Sequence, residues 1–292
     1  MRTALLALVP PALLAACAGL GTGFAGTSPG YRLVDARTGG TVALAAVADE
    51  IAATCDVVFL GELHDSTPCH RLEIDLTREL VARRGAIAIS MEMFERDQQT
   101  DLDRFLAGEI DEEELLAATR TWPNYDPDYR PAVLLARERG LPLLAANIPR
   151  PLAARVVREG LHAVTGAEHT PREVHVAAGD YRARFAAAMG EHGDPLGDAS
   201  TANVFAAQCI KDDAMAESIA DFLLPRSSPR PLVVHWCGAF HSDAGLGTVE
   251  RLRQRMPGLR VAVLSPLKTD DIRRELTAEE RAEGRWIAVV GS

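Results

Sequence analysis

The stretch Val57-Val58-Phe59-Leu60-Gly61-Glu62-Leu63-His64-Asp65 decides the fold, because an apolar run passes without a break into a glycine and a group of polar residues. A short run of β-branched and aromatic residues is typical of a strand that is buried on both faces of a parallel sheet. The polar residues that follow it then lie at the carboxyl end of that strand. The stretch therefore predicts an α/β protein with polar groups at one edge of its sheet.

Further apolar runs alternate with helical patterns along the chain, which is the pattern of βαβ units. The predicted strands are Val57–Gly61, Ala86–Met91, Leu141–Ala146, Pro231–Trp236, Arg260–Leu264 and Trp286–Val290, preceded by a hairpin over Tyr31–Val42 that turns at Gly39-Gly40. The predicted helices are Pro68–Arg84, Pro131–Arg139, Ala199–Leu223 and Leu246–Met256. We therefore expect a mainly parallel sheet flanked by helices, in a single domain over residues 31–292. Helical insertions at about 95–130 and 151–197 are too long for simple crossovers and are candidate lid segments.

The composition favours a folded acidic protein. Hydrophobic residues make up 47% of the chain, and 31 basic residues face 41 acidic ones, for a formal charge of -10. Such a charge repels a phosphate backbone, so nucleic acid is an unfavourable partner. No phosphate-binding glycine motif follows a predicted strand, and nucleotide binding therefore has no support.

The first residues predict export and a lipid anchor. Residues 1–16 carry an arginine and then a short apolar run broken by prolines, which is typical of a signal peptide. The run ends Leu14-Ala15-Ala16-Cys17, which is similar to the bacterial lipobox, where Cys17 is acylated and becomes the mature N-terminus. Residues 17–30 then form a lipidated tether. We expect a palmitate-type anchor on the periplasmic side of the outer membrane; an ordinary signal peptide with a chance cysteine is the alternative.

The remaining cysteines indicate no particular site. Their spacing contains no C-x-x-C pair, so a thiolate zinc site is not predicted. Buried free thiols and disulfides both remain open for Cys55, Cys69, Cys209 and Cys237.

Polar residues follow several of the predicted strands directly. They are Glu62, His64, Glu92, Asn147 and His241. Because parallel strands end at the same edge of a sheet, these side chains are expected to converge on one crevice. Gly61 and Gly238 each open a G-x-x-H unit and let the chain leave its strand sharply.

Two chemistries suit this group of residues. Imidazoles and carboxylates together can bind a divalent metal such as zinc, manganese or cobalt, with Glu62, His64, Glu92 and His241 as candidate ligands. Alternatively, His64, Glu92 and His241 could act as general acid and base in a hydrolase. His70 and Glu73 share a helix face and could support either arrangement from behind.

These residues also carry a resemblance to a known family. The chain resembles the ChaN family of haem-binding lipoproteins, within a wider superfamily that includes the TIKI metalloproteases and the erythromycin esterases. The segments that carry the resemblance are Gly61–Asp65 with His70 and Glu73, Met91–Phe94, Trp122 with Tyr125, Tyr129 and Pro131, Gly140–Pro142 with Asn147–Arg150, Ala207–Gln208, Lys211–Asp212, Met215–Ala216 and Gly238–His241. The resemblance implies an α/β domain with a helical lid that binds haem during iron acquisition, and homodimers similar in style to the family.

Haem binding gives the tyrosines a candidate role. Ferric haem accepts a tyrosinate ligand, so Tyr125, Tyr129 and Tyr181 are the candidate axial ligands. Arg150 could pair with a haem propionate or hold an insertion in place. Tyrosines in a proline-rich loop also commonly pack against their own domain, and that alternative stays open.

Three functions follow from this sequence. The first is haem binding for iron or haem uptake at the cell envelope, with an outer-membrane haem receptor as a partner. The second is metal-dependent hydrolysis through the two G-x-x-H histidines and an acidic residue. The third is a non-catalytic, lipid-anchored interaction protein. Whether the protein is an enzyme remains open at this point.

Overall fold

A seven-stranded sheet organises the molecule, as seen in a computed structural model that describes residues 30–191, 197–225 and 230–291. The strands are β1 (Tyr31–Asp35), β2 (Val57–Glu62), β3 (Ile87–Glu95), β4 (Leu143–Asn147), β5 (Leu232–Gly238), β6 (Val261–Thr269) and β7 (Trp286–Gly291). Their spatial order is β1-β7-β6-β2-β5-β3-β4. β1 runs antiparallel to β7 and the other pairings are parallel, which confirms the predicted mainly parallel α/β fold.

Helices cover both faces of this sheet. They are α1 (Leu44–Thr54), α2 (Thr67–Arg83), α3 (Gln99–Leu106), α4 (Glu112–Ala118), α5 (Arg130–Arg139), α6 (Arg150–Glu159), α7 (Asp180–Glu191), α8 (Gly197–Leu223), α9 (Thr248–Arg255) and α10 (Ala278–Arg281). The four helices predicted from the sequence correspond to α2, α5, α8 and α9. A π-helical turn over Tyr125–Tyr129 leads directly into α5.

The alternation of side chains along β2 builds a core on each face of the sheet. Val58 and Leu60 pack into a cluster with residues of α1, α2 and α5, whereas Val57 and Phe59 pack into a cluster with residues of α8 and α9. Burial on both faces explains why this strand is an unbroken apolar run. Because β2 and β3 each pair in parallel with β5, the carboxyl ends of these three strands lie side by side in the middle of the sheet.

Two predicted strand elements differ in the structure. The predicted hairpin over Tyr31–Val42 is present only in a short form: one bridge joins Val34 and Thr41, flanked by hydrogen bonds from Asp35 N–H to the Gly40 carbonyl and from Val42 N–H to the Leu33 carbonyl, both 2.9 Å, while the other edge of β1 pairs with β7. The third strand continues to Glu95 rather than ending at Met91, with a shift in its register against β4. It continues because Met93 and Phe94 are also buried in the core.

The two insertions contain helices, and both reach the sheet edge. α3, α4 and the π-helical turn belong to the first insertion, and α6 and α7 belong to the second. Within the described ranges, no helix has the length and apolar character needed to cross a membrane. The cysteines that the structure describes are buried free thiols. The predicted signal peptide and nearly all of the tether, including Cys17, lie outside the described residues.

Candidate functional site

Three neighbouring strands deliver the polar groups that the sequence predicts at the sheet edge. Glu62, the last residue of β2, lies opposite Gly238, the last residue of β5. Glu92 follows Met91, which pairs with Trp236 on the other side of β5. A Cβ atom at Gly238 would lie 2.9 Å from Nε2 of His64, so a larger residue here would displace that imidazole.

Glu62 and His64 form a carboxylate–imidazole pair. Nδ1 of His64 lies 2.5 Å from Oε1 of Glu62, and the Tyr129 hydroxyl donates to the same oxygen at 2.7 Å. Burial lowers the pKa of His64, but its hydrogen bond to Glu62 and the charge of Glu92 outweigh this effect and raise the pKa. The Glu62 carboxylate accepts a hydrogen bond from Nδ1 of His64. Among the described residues, Nε2 has no hydrogen-bond partner, and it is therefore available to a ligand in the cavity.

His241 forms a second pair of the same kind with Asp212 of α8. The distance from Nδ1 of His241 to Oδ1 of Asp212 is 2.8 Å. Thr248 donates to that oxygen at 2.9 Å, and the Tyr181 hydroxyl donates to the other one at 2.6 Å. Burial lowers the pKa of His241, but the charges of Glu92 and Asp212 outweigh it and raise the pKa.

The buried carboxylate of Glu92 lies between the two pairs. The Gly238 N–H donates to Oε2 of Glu92 at 2.8 Å, and Nε2 of His241 lies 3.5 Å from Oε1. Burial would raise the pKa of Glu92, but the charges of His241, Lys211 and His64 lower it to about 2. Glu92 is therefore an anion at neutral pH, and it raises the pKa of both histidines.

A cavity of about 570 Å³ opens above these groups. His64 is 44% exposed there and packs edge-on against Trp122, with ring centroids 4.8 Å apart. α7, from the second insertion, supplies Phe185, Ala188 and Met189 to the wall. The other lining residues are Glu62, Leu63, Asp65, Glu92, Gln208, Lys211, Gly238, Ala239, Phe240 and His241. The cavity thus combines an apolar wall with a charged floor.

The structure brings Glu62, His64, Glu92 and His241 together around this cavity, as the sequence predicts. The other proposed residues lie elsewhere. Asn147 does not line the cavity; its side chain donates to the backbone carbonyl of Glu92 at 3.1 Å and so holds that strand in place. Arg150 begins α6, with Nε 3.7 Å from a carboxylate oxygen of Glu95.

The three candidate tyrosines are buried and engaged with carboxylates. Tyr125 donates to Glu112 at 3.2 Å, and Tyr129 and Tyr181 donate to Glu62 and Asp212. Burial and the neighbouring negative charges raise the pKa of all three hydroxyls. None of the three lines the cavity. Tyrosinate ligation stays a prediction, and it requires one of these hydrogen bonds to open.

Sequence reasoning did not include Lys211 and Asp212 among the site residues. Both lie on α8, which faces the sheet edge with Gln208, Lys211 and Asp212 within little more than one helical turn. Lys211 carried a signal, because it is one of only two lysines in a chain that otherwise uses arginine for positive charge. Asp212 belongs to a segment that carries the family resemblance, but its role depends on contacts made after folding.

A tight group of metal-ligand atoms extends from Glu62, which lines the cavity, to two buried residues that do not. Among the residues that the structure describes, Glu62, His70 and Glu73 each offer one ligand atom, with all three atoms within 4.8 Å of one another. The four residues predicted as metal ligands do not form such a group in that part of the chain. Their metal binding stays a prediction.

These features define a class: α/β proteins with a parallel sheet whose carboxyl edge carries histidine–carboxylate pairs under a helical lid. The family model described as "Haem-binding uptake, Tiki superfamily, ChaN" matches residues 48–252, and the chain belongs to this family. No curated protein matches the sequence at a significant level.

One solved structure shares the fold, and others are less similar. The structure titled "Cofacial heme binding to ChaN of Campylobacter jejuni" has a TM-score of 0.68 at 16% identity, covering 90% of this chain and 97% of that chain. An erythromycin esterase EreC mutant in its open conformation has a TM-score of 0.46 at 12% identity, covering 76% and 72%. The type III effector HopBA1 has a TM-score of 0.46 at 10% identity, covering 84% and 91%.

The close approach at Gly238 gives a test of the site geometry. In Gly238→Ala, the new Cβ atom meets His64 Nε2 at 2.9 Å, so we expect the imidazole to move; because His64 is half-exposed, we expect the free energy of unfolding to fall by less than about 1 kcal/mol. Long-range 1H–15N NMR of the histidines and urea unfolding measure the two effects. The control is Gly85→Ala, where a Cβ atom meets nothing within 4 Å. Unchanged His64 resonances in Gly238→Ala would contradict this geometry.

Proposed function

We propose that this protein is a lipid-anchored protein of the cell envelope that binds haem in the cavity at the sheet edge and serves haem or iron uptake. The observation that carries the proposal is the cavity itself: an apolar wall of aromatic and aliphatic side chains lies beside a half-exposed imidazole whose Nε2 is free. Membership of the haem-binding family supports the same ligand.

The cavity residues fit an iron porphyrin in size and chemistry. A volume of about 570 Å³ lies within the range of about 300–1,000 Å³ typical of small-molecule sites. Trp122, Phe185, Met189 and Phe240 offer apolar surface to a flat macrocycle. Lys211 offers a cation to a propionate. When bound, haem would supply an iron centre whose behaviour depends on its axial ligand.

His64 is the axial ligand that the geometry favours. Its hydrogen bond to Glu62 fixes the ring and leaves Nε2 for a metal, which is how metal-binding histidines are commonly oriented. Tyr125, Tyr129 and Tyr181 are the alternative ligands, and their raised pKa values oppose formation of a tyrosinate before iron binds.

The identity of the ligand can be tested by haem titration of the purified protein. We expect His64→Ala to shift the haem absorption bands and to weaken binding at least tenfold, because the iron–nitrogen bond is lost. We expect a triple variant, Tyr125→Phe, Tyr129→Phe and Tyr181→Phe, to keep the bands of histidine-ligated haem, with at most a small shift from the loss of the Tyr129 hydrogen bond to Glu62. Absorption and electron paramagnetic resonance spectra measure both. The opposite pattern, with bands lost only in the triple variant, would assign the iron to a tyrosine.

The anchor is the second part of the proposal. Cys17 lies outside the described residues, and its support is the lipobox-like sequence that ends there. We expect the wild-type chain to incorporate labelled palmitate and to sediment with outer membranes, and Cys17→Ser to do neither. A soluble, unlabelled wild-type chain would contradict lipid anchoring. A second copy of this chain and an outer-membrane haem receptor are the partners proposed on the basis of the family resemblance.

Hydrolysis is the second candidate function, and one observation favours it. Each cavity histidine has Nδ1 held by a carboxylate, and Nε2 of His241 lies 3.5 Å from Glu92. Imidazoles oriented in this way are suited to general acid and base chemistry. Haem binding alone does not require two such pairs.

A hydrolase can be recognised with model esters and peptides in the presence of zinc, manganese or cobalt. If the two pairs are catalytic, His241→Gln should lower the rate at least a hundredfold, because general acid–base groups typically contribute about 10²–10⁴-fold. The control Leu224→Ala removes a side chain that is 63% exposed at the end of α8 and should leave the rate unchanged. Absence of any rate above background in the wild type with each metal would exclude this function for these substrates.

A further inference from the structure

A buried cluster lies next to the Glu62–His64 pair, and two of its three residues, His70 and Glu73, have no role in the proposed function. It contains Glu62, His70 and Glu73, whose side chains are at most 3% exposed. Nδ1 of His70 lies 3.0 Å from Oε2 of Glu73 and 3.6 Å from Oε2 of Glu62. We propose that these three atoms bind a divalent first-row metal ion, Zn²⁺ or Mn²⁺, at a site distinct from the two cavity histidines.

The hydrogen bonds of His70 fix which of its nitrogens can be a ligand. Nε2 of His70 lies 3.2 Å from the backbone carbonyl oxygen of His64, which can only accept, so Nε2 carries the hydrogen. In the neutral imidazole, Nδ1 then has its lone pair directed at two carboxylate oxygens. Nδ1 of His70 and the two carboxylate oxygens are then three hydrogen-bond acceptors that face one another, and a shared cation would stabilise them.

The spacing of the donors fits coordination. Two donors that bind one ion at about 2.1 Å lie about 3.0 Å apart at a right angle and about 3.4 Å apart at a tetrahedral angle. The distances from His70 Nδ1 to the two carboxylates, 3.0 and 3.6 Å, are close to these values. One imidazole nitrogen and two carboxylates suit zinc or manganese.

Two buried oxygens in the cluster lack a hydrogen-bond partner. They are Oε2 of Glu62 and Oε1 of Glu73. In the described part of the chain, neither carboxylate has an arginine or lysine within ion-pair distance; their ion-pair contacts are with His64 and His70. Asp128 adds a third acid, 3.6 Å from His70 Nε2. Leaving such groups uncompensated is costly, and a divalent cation would neutralise them.

One residue of the cluster, His70, also borders a second groove. His70 and Asp128 line a separate groove of about 350 Å³ on the other side, together with Pro127 and Pro131 next to the π-helical turn. Without a metal, a shared proton can balance the charge of the cluster. Burial and the charge of Glu62 raise the pKa of Glu73 well above its usual range, which favours such a proton.

Metal analysis of the full-length wild-type protein is the first part of the test. We expect about one Zn²⁺ or Mn²⁺ per chain, a lower melting temperature after treatment with a chelator, and recovery when either ion is added back. In Glu73→Gln, which keeps the shape but removes the anionic donor, we expect metal affinity to fall at least a hundredfold. The matched control is the double variant His64→Ala and His241→Ala, which should keep the metal.

Three results would overturn the proposal. A wild-type protein that neither contains a metal nor changes its melting temperature with Zn²⁺ or Mn²⁺ would assign the cluster to a shared proton. Retention of the metal in Glu73→Gln, or its loss in the double cavity variant, would place the ion elsewhere. If Glu73→Gln does not fold, 15N NMR of wild-type histidines decides: Zn²⁺ must shift Nδ1 of His70, and an unchanged resonance excludes ligation there. None of these readouts depends on haem.

Discussion

The site depends on the backbone of Gly238. Its N–H donates to Glu92 at 2.8 Å, its position in the sheet is opposite Glu62, and the absence of a side chain leaves room for His64. The bound carboxylate of Glu92 then acts on both imidazoles through its charge. One peptide unit at the end of the central strand β5 thus fixes the position of the Glu92 carboxylate, and the charge of that carboxylate helps to raise the pKa of both histidines.

The sequence predicts the part of the site that follows from local pattern. Each strand can be recognised from its own apolar run, and parallel strands end at a common edge of the sheet. The convergence of Glu62, Glu92 and His241 can therefore be predicted before any tertiary contact is known. The residues that α8 contributes to the site cannot be predicted in this way. Packing of the whole chain decides which face of this long helix meets the sheet. Lys211 and Asp212 reach the site through that packing.

The tyrosines show a different limit. A proline-rich loop indicates a rigid segment, but it does not indicate where a hydroxyl group finds its acceptor. Tyr125, Tyr129 and Tyr181 donate to carboxylates that are 13, 67 and 31 positions away in sequence. Two of those acceptors, Glu62 and Asp212, are the carboxylates that orient the cavity histidines. Tyr129 and Tyr181 therefore support the two pairs from behind, a role that only the folded chain reveals.

Glu62 connects the cavity to the interior of the protein. One of its oxygens accepts from His64 and Tyr129, and the other faces His70 and Glu73. Both oxygens belong to one delocalised carboxylate. A change in charge near His70 and Glu73 therefore also affects the hydrogen bonds that Glu62 accepts from His64 and Tyr129. A cation in the buried cluster would fix the orientation of the Glu62 carboxylate. His64 would then meet a ligand as a preoriented imidazole, whichever ligand the cavity receives.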